Sequence, residues 1–476
     1  MSGNPTRAWP SIAAALALLV SLAACGNRHT DAELLDAARG GSAGVAAQAT
    51  GGLDTGTATS PGAAAGASAG SGTGGSAQVA AGAAQGTARS GPAAAGAHGG
   101  PTSSCAKTCS PLVIASVGTY SGIVGQNVGG GARALQAWAT TVNAAGGVHG
   151  HRVEALVLDD GGDPARHRAL LQEAVDKHGA VAFVYNAAPL SGQASVDYVT
   201  SKKIPVIGSE AAGEWFYQSP YFFPQSTSGK LLVATGLGAA VQTAGPGGPK
   251  KVGFLYCSDG IAICDQARQY GPGFARQFGL DPVYSGSGSL AQPDFTANCL
   301  AARDAGAELL SVAMDGNSAQ RIARSCHNVG YQPKIVLNQQ IEFSTVAADP
   351  NLDGSYGTAL NAPWFDSANP AVAEFQRAMA QQAPGVDIAG SPMQGWASAK
   401  LLEAAAANLS EPPTSESILN GLWALKDETL GGLAMPLTFN KGAIAPRPVC
   451  WWALIIAKGT YANSGDGKVR CRNDIK

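Results

Sequence analysis

Charged residues are scarce in this 476-residue chain. Lysine, arginine, aspartate and glutamate make up 13% of the sequence, and the formal net charge is −2 at pH 7. The cations form no basic stripe or cluster, which argues against a nucleic-acid partner. The apolar run near the N-terminus, SIAAALALLVSLAAC, falls short of the roughly 20 residues that a membrane-spanning helix needs.

Groupings typical of catalysis or metal binding are also missing. The 7 histidines are scattered, with no Cys, Asp or Glu at metal-ligand spacing, and no Ser/His/Asp set can be assigned to strand ends. Two matches to the G-x-S-x-G pattern, at 40–44 and 66–70, lack the strand-to-helix turn that the motif requires. DDGGD at 159–163 is not a calcium loop, because Leu170 stands where a glutamate would be needed. The sequence therefore predicts no enzyme, no metal and no cofactor.

The N-terminus has the pattern of an export signal. Leu22-Ala23-Ala24-Cys25 resembles the bacterial lipobox, which implies a signal peptide over 1–24 and a lipid on Cys25. The alternative is an ordinary signal peptide with a chance cysteine. From Gly41 to Ser104 almost no bulky side chain occurs, so this stretch cannot bury enough apolar area to offset its conformational entropy. We expect residues 25–104 to be a disordered tether, anchored to the cell membrane by lipid on its extracytoplasmic face.

The chain has 9 cysteines, and setting Cys25 aside leaves an even number. In an exported protein such a set indicates disulfides. A zinc site beginning at the first pair is the rival interpretation, but no second pair or histidine cluster lies at ligand spacing. Sequence does not determine connectivity. Proximity along the chain predicts the pairs Cys105–Cys109, Cys257–Cys264, Cys299–Cys326 and Cys450–Cys471.

From about residue 110, strand and helix patterns alternate. LVIASVG (112–118), RVEALVLDD and AVAFVYN read as strands, and GARALQAWATTVNAAGG reads as a helix that begins at Gly131. A second helix has Asp163 as its N-cap, Pro164 at its first position and Gly179 at its end. The alternation restarts after Pro224, and the chain closes with a predicted strand pair, MPLTFN and CWWALIIAKGTY. The pattern predicts two successive α/β units, each with a parallel sheet flanked by helices.

The order of these elements resembles a known family. VGTYSGIVGQNVGGGARALQAWATTVNAAGGVHGHRVEALVLDDGGDP is similar to the start of the type I periplasmic binding proteins of the leucine/isoleucine/valine-binding group, and ASAKLLEAAAAN and TLGGLAMPLTFNKGA are similar to that group's closing segments. The resemblance implies an α/β fold of two lobes joined by three crossing strands, near Phe223–Ser226, Thr358–Asn361 and Gly432–Leu437. It assigns 105–224 and 361–433 to the first lobe, and 225–360 and 434–476 to the second.

The resemblance also implies a solute site in the cleft between the lobes, built by loops that follow strands. Carried over by position, its residues on the first lobe are Tyr120, Ser121, Asn186, Ala188, Ser191, Glu210, Ala212 and Trp215. Those on the second lobe are Asp259, Ile261, Asp315, Asn317, Gln339 and Gln340. Any one of these residues could instead cap a helix or pack a loop.

The implied function is an extracytoplasmic solute-binding lipoprotein that serves the permease and ATPase of an ABC importer by hinge closure. A membrane-tethered ligand sensor with the same fold is the alternative. Ala188 and Ala212 stand where branched-chain amino-acid binders of this group carry hydroxyls, and Gln339 or Gln340 stands where they carry a carboxylate. We therefore expect a small, neutral or amine-bearing polar organic solute, amino-acid-like, an amide or related, with leucine, isoleucine and valine not the best ligands.

Overall fold

The computed structural model describes residues 109–338 and 343–475, except for the side chain of Ile123. Cys25, Cys105, the predicted signal peptide and the whole of the predicted tether lie outside the described residues, as do Gln339 and Gln340. No helix within the described ranges is long and apolar enough to cross a membrane.

Residues 112–223 build a five-stranded sheet in the order β2-β1-β3-β4-β5, with every neighbouring pair parallel. Its strands are β1 (Leu112–Gly118), β2 (Val153–Asp159), β3 (Ala182–Val184), β4 (Val206–Ile207) and β5 (Phe222–Phe223). The helices between them are α1 (Gly122–Ala144), α2 (Pro164–Asp176) and α3 (Val196–Lys202). As predicted, Asp163 caps α2, with its side chain accepting a hydrogen bond from the Arg166 amide.

The second sheet has eight strands, in the order β12-β11-β10-β9-β8-β6-β7, with β13 paired to β11. Strands β6 to β10 are parallel, whereas β11 runs antiparallel to β10, β12 and β13. The strands are β6 (Lys251–Cys257), β7 (Asp281–Gly288), β8 (Leu309–Ala313), β9 (Lys334–Val336), β10 (Tyr356–Ala359), β11 (Val449–Ala457), β12 (Thr460–Asn463) and β13 (Arg470–Arg472). The intervening helices are α4 (Leu232–Ala244), α5 (Ala262–Gln277), α6 (Thr296–Asp304), α7 (Gly316–Asn328) and α8 (Ser344–Ala347).

Three later helices return to the first sheet: α9 (Pro370–Gln382), α10 (Gly390–Ala405) and α11 (Ser415–Ala424). Their buried side chains, including Phe375 and Trp396, share one core with Leu112 and Trp138. We call this body the first lobe, and the second sheet with α4 to α8 the second lobe. The predicted lobe boundaries are compatible with this course of the chain and stay a prediction.

Helix α1 begins at Gly122, earlier than the predicted start at Gly131, so the glycines at 129–131 lie inside the helix. Close packing explains them. A Cβ on Gly131 would stand 2.1 Å from the Tyr185 ring, and one on Gly395 of α10 would stand 2.0 Å from the Gly131 carbonyl oxygen. Helices α1 and α10 therefore approach each other at a distance that only glycine allows.

The closing strand pair differs from the prediction. MPLTFN contributes only an isolated bridge between Glu428 and Leu437, and β11 pairs instead with β12. The turn between them holds Lys458 and Gly459 at φ 53° and 77°. Two successive positive φ angles are typical of a tight hairpin turn, so β11 folds back on the residues that immediately follow it.

Three of the predicted disulfides are confirmed: Cys257–Cys264, Cys299–Cys326 and Cys450–Cys471. Cys109 is also disulfide-bonded, and its predicted partner, Cys105, lies outside the described residues.

Candidate functional site

A cavity opens between the two lobes, beyond the carboxyl ends of strands from both sheets. Among the described residues, its polar lining consists of Asn127, Glu210, Asp315 and Asn338. The rest of the lining is apolar or disulfide-bonded: Val124, Val128, Pro189, Ala212, Cys257, Ile261, Ile263, Cys264, Leu290, Ala313 and Met314. Ligands of open parallel sheets bind at this edge, so the topology and the cavity indicate the same place.

Four of the residues predicted from sequence line this cavity: Glu210, Ala212, Ile261 and Asp315. Glu210 and Ala212 follow β4 in the first lobe, whereas Ile261 follows β6 and Asp315 follows β8 in the second. The strand ends therefore bring together groups that are far apart in sequence.

Glu210 is fully buried at the cavity wall. Burial opposes its ionisation and raises its pKa to about 7, although hydrogen bonds involving the backbone of Ala188 and Gly213 favour the charged form. The negative charge of Asp160 raises the pKa further. Glu210 thus exchanges its proton near neutral pH, and a cation entering the cavity would favour its carboxylate form.

Asp315 both caps a helix and lines the cavity. It is the N-cap of α7, where its side chain accepts a hydrogen bond of 2.6 Å from the Ser318 amide, and it also lines the cavity. The first turn of α7 places Asn317 in an adjoining groove, together with Gln126 and Asn127 of α1. The beginning of α7 therefore faces the beginning of α1 across the cleft.

Asp259 is exposed and does not line the cavity, but it holds a residue that does. Its two carboxylate oxygens accept hydrogen bonds from the Ser289 hydroxyl and the Leu290 amide, both at 2.9 Å. Leu290 belongs to the cavity wall. Asp259 therefore positions the loop after β7.

Asn186, Ala188 and Ser191 lie buried behind the wall of the first lobe. Asn186 accepts a hydrogen bond of 3.0 Å from the Val117 amide, which ties the end of β3 to β1. Ser191 donates to Asp160 at 2.6 Å. These residues hold the loop that contains Pro189, the part of this stretch that lines the cavity.

Asp160 is the centre of that support. Besides Ser191, its carboxylate accepts a hydrogen bond from Thr119 at 2.9 Å and lies 2.8 Å from Nδ1 of His167. Burial opposes its ionisation, but the hydrogen bonds from His167, Ser191 and Thr119 outweigh burial and hold its pKa below the usual value. The loops after β1, β2 and β3 are therefore fixed to one buried carboxylate.

Three other predicted residues lie outside this cavity. The Tyr120 hydroxyl lies 2.8 Å from the Tyr185 carbonyl oxygen and 2.6 Å from the Ser116 hydroxyl, and burial raises its pKa. Ser121 is exposed and precedes α1. Trp215 packs in an aromatic cluster, with its ring 4.3 Å from that of Phe216 and 5.4 Å from that of Phe222.

Several residues that line the cavity were not predicted from the sequence. Val124 and Asn127 lie on the first turns of α1, a stretch that the predicted helix did not include. Met314 follows β8 directly, and Asn338 is the second residue after β9, so the rule that strand ends carry the site could have indicated both. The Cys257–Cys264 disulfide was predicted as a structural link, and the structure adds that both of its cysteines line the cavity.

A group of potential metal ligands, Cys109, His151 and Glu411, lies elsewhere in the described part of the chain. Cys109 is disulfide-bonded, so it offers no thiolate to a metal. The cavity, by contrast, combines carboxylates, amides and apolar walls, which suits reversible binding of a small organic molecule.

Comparison with known proteins gives one family and many similar folds. A family model described as "Periplasmic binding protein" matches residues 111–444. The fold is similar to a branched-chain amino acid ABC transporter protein from Thermus thermophilus with bound valine, at 16% identity and a TM-score of 0.63, over 75% of this chain and 96% of that one. No curated protein matches the sequence.

Two further structures with this fold bear other ligands in their descriptions. One is a fatty acid ABC transporter substrate-binding protein from Thermomonospora curvata, with 17% identity, a TM-score of 0.61, and coverage of 75% of this chain and 93% of that one. The other is an ABC transporter solute binding protein from R. palustris in complex with benzoate, with 15% identity, a TM-score of 0.61, and coverage of 76% and 98%. These similarities show the two-lobed fold.

Proposed function

Because the chain belongs to the periplasmic binding protein family, whose members are non-catalytic binding proteins, we propose that it captures a small organic solute between its lobes for the permease and ATPase of an ABC importer. The observation that carries this proposal is the cavity itself. Its walls come from both lobes, with Glu210 on one side and Asp315 on the other. A solute that contacts both walls favours the closed arrangement.

A hinge for this closure is supported by contacts among the three predicted crossings. The Asn361 side-chain amide donates to the carbonyl oxygens of Gln225, at 3.4 Å, and Leu433, at 3.2 Å. Asn361 thus joins the three segments through one buried side chain. Crossings held side by side in this way can bend together while each lobe keeps its own core.

A thermal-shift screen of the folded region against small metabolites tests the binding function. A ligand at a hundred times its dissociation constant stabilises the native state by about 2.7 kcal/mol, which raises the melting temperature measurably. We expect Ile261→Trp to abolish the shift by filling the cavity. Ile444→Trp, the same change at a position that is 50% exposed and outside the cavity, should retain it. A shift that persists in Ile261→Trp would place the solute elsewhere.

The proposal includes attachment to the extracytoplasmic face of the membrane through lipid on Cys25, which lies outside the described residues. Support comes from the lipobox-like sequence and from the Ala/Gly/Ser/Thr-rich tether that follows it. We expect Cys25→Ala to release the protein from the membrane fraction or to leave its signal peptide uncleaved. Normal processing with unchanged membrane retention would contradict a lipid anchor.

A further inference from the structure

The ionisable groups that the described residues contribute to the cavity wall are all acidic. Glu210 and Asp315 are the ionisable lining groups, and no lysine, arginine or histidine lines the cavity in the described part of the chain. Arg321, on α7, directs its guanidinium to the Leu290 carbonyl oxygen, at 2.7 Å, and to the Ser318 hydroxyl, at 2.8 Å. The charge of Arg321 therefore lies behind the wall, and the described lining residues offer no cation to a ligand's carboxylate.

The cavity suits positive charge at one end of a ligand. Hydrogen bonds involving the Ala188 and Gly213 backbone favour the carboxylate form of Glu210. A positive charge on a ligand interacts favourably with a carboxylate in a low-dielectric site. An ammonium group supplies that charge, and it can donate further hydrogen bonds to the side-chain oxygens of Asp315, Asn127 or Asn338.

The remainder of the wall suits hydrocarbon. Val124, Ile261, Ile263, Leu290 and Met314 face the cavity, together with the Cys257–Cys264 disulfide. Apolar ligand surface gains about 25 cal/mol per Å² when it leaves water, whereas a second polar end would lose its hydration against these side chains. The wall therefore disfavours a ligand that is charged at both ends.

We propose that the solute is an amine cation with an apolar body and no carboxylate, held at its ammonium end by Glu210. This proposal rests on the proposed binding function and specifies the chemical class of its solute. A carboxylate ligand would bring a further negative charge into a cavity that already holds Glu210 and Asp315, and like charges at short range repel strongly in such a site. By the same argument, removal of a carboxylate from an amino acid should improve its binding.

Three compounds with one branched hydrocarbon body test this directly by calorimetry. 3-Methylbutylamine is leucine without its carboxylate, 4-methylpentanoate is leucine without its amine, and leucine itself carries both groups. We expect 3-methylbutylamine to bind the wild-type protein at least about tenfold more tightly than the other two at pH 7.5. Equal or tighter binding of leucine or 4-methylpentanoate, or no binding by any of the three, would overturn the proposal.

The variant Glu210→Gln then tests whether Glu210 holds the ammonium group of the ligand. We expect about a ten- to hundredfold loss of 3-methylbutylamine affinity, because a charge-assisted contact becomes a neutral one, with little change for 4-methylpentanoate. Glu173→Gln, a surface change on the same lobe, should leave both affinities unchanged. An amine affinity within twofold of wild type in Glu210→Gln would remove Glu210 from this role. The wild-type comparison decides the ligand class even if the variant folds poorly, and the broad screen with Ile261→Trp judges the binding function separately.

Discussion

At the scale of single residues, Glu210 links binding to stability. Its pKa is raised from 4.5 to about 7 in the folded protein, so the native state holds the proton more tightly than the unfolded chain does. The contribution to stability is therefore complete below pH 4.5 and is lost as the pH rises through 7. At about 1.4 kcal/mol per pH unit, the loss amounts to about 3 kcal/mol.

We accordingly expect Glu210→Gln to increase the free energy of unfolding at pH 8 by up to about 3 kcal/mol and to leave it nearly unchanged at pH 4.5. Glutamine keeps the size of the side chain but cannot ionise. Urea denaturation at the two pH values measures the difference, with Glu173→Gln as a surface control. A variant that is less stable than wild type at pH 8 but not at pH 4.5 would contradict the assignment.

Trp215 shows that the direction of a side chain cannot be predicted from its position in the sequence alone. The residue follows β4, as predicted, but its ring packs against Phe216 and Phe222, and Cβ atoms on Gly192 and Gly213 would stand 2.2 Å from it. Position after a strand can be read from a sequence, whereas the direction of a side chain depends on partners that are distant along the chain. Tyr120 also lies outside the cavity for this reason, because its hydroxyl is directed towards Tyr185.

We expect Trp215→Ala to destabilise the protein by about 3–5 kcal/mol, the usual cost of removing a large aromatic side chain from a core. Trp215→Phe should cost less, because it keeps part of the packing against Phe216 and Phe222. Chemical denaturation of both variants measures this. A loss below about 1 kcal/mol for Trp215→Ala would show that the ring is not part of the core.

At the scale of elements, alternation of strand and helix patterns was sufficient to predict parallel sheets, and proximity along the chain predicted three disulfides that the structure contains. The start of α1 was not predictable in the same way, because glycines in series usually indicate a loop. Gly130 and Gly131 are helical because α10 and Tyr185 pack against them. The contact with α10 joins residues more than 200 positions apart in the sequence, and Tyr185 lies outside α1. Helix boundaries that depend on such tertiary contacts are not encoded locally.

The disulfide between Cys257 and Cys264 should have a role that the other disulfides lack. It closes the loop that carries Ile261 and Ile263 to the cavity, and its own cysteines line the wall. We expect the double variant Cys257→Ala/Cys264→Ala to lose about 2–3 kcal/mol of stability in the chain-entropy model and also to bind solute more weakly.

The matched control is Cys450→Ala/Cys471→Ala, which removes a disulfide between β11 and β13, outside the cavity. It should lose a similar amount of stability, about 3 kcal/mol, with the solute affinity retained. Denaturation and calorimetry on both double variants separate the two effects. Equal affinities in the two double variants would show that the Cys257–Cys264 link serves stability alone.

At the scale of the whole molecule, the sequence predicted two α/β units and their order, because hydrophobic periodicity and turn residues are local signals. It could not predict which surfaces of the lobes meet. Phe343 packs against the cores of both lobes, and Asp387, next to first-lobe residues, accepts hydrogen bonds from the amide and hydroxyl of Ser344 in the second lobe, at 2.9 and 3.0 Å. Only the assembled structure brings these groups together.

The contact between Asp387 and Ser344 should favour closure of the two lobes. It is formed between the lobes and is exposed, so we expect it to contribute about 0.2–1 kcal/mol to the closed arrangement. Asp387→Ala should then shift the solute-free protein towards open forms, seen as a larger radius of gyration in small-angle X-ray scattering, and weaken solute binding by up to about fivefold. Asp197→Ala, an exposed acid on the first lobe, serves as control and should change neither quantity.

Solute binding should restore the compact form in Asp387→Ala, because ligand contacts with both walls favour closure independently of the contact between Asp387 and Ser344. An unchanged radius of gyration together with wild-type affinity would show that the lobes stay closed without Asp387.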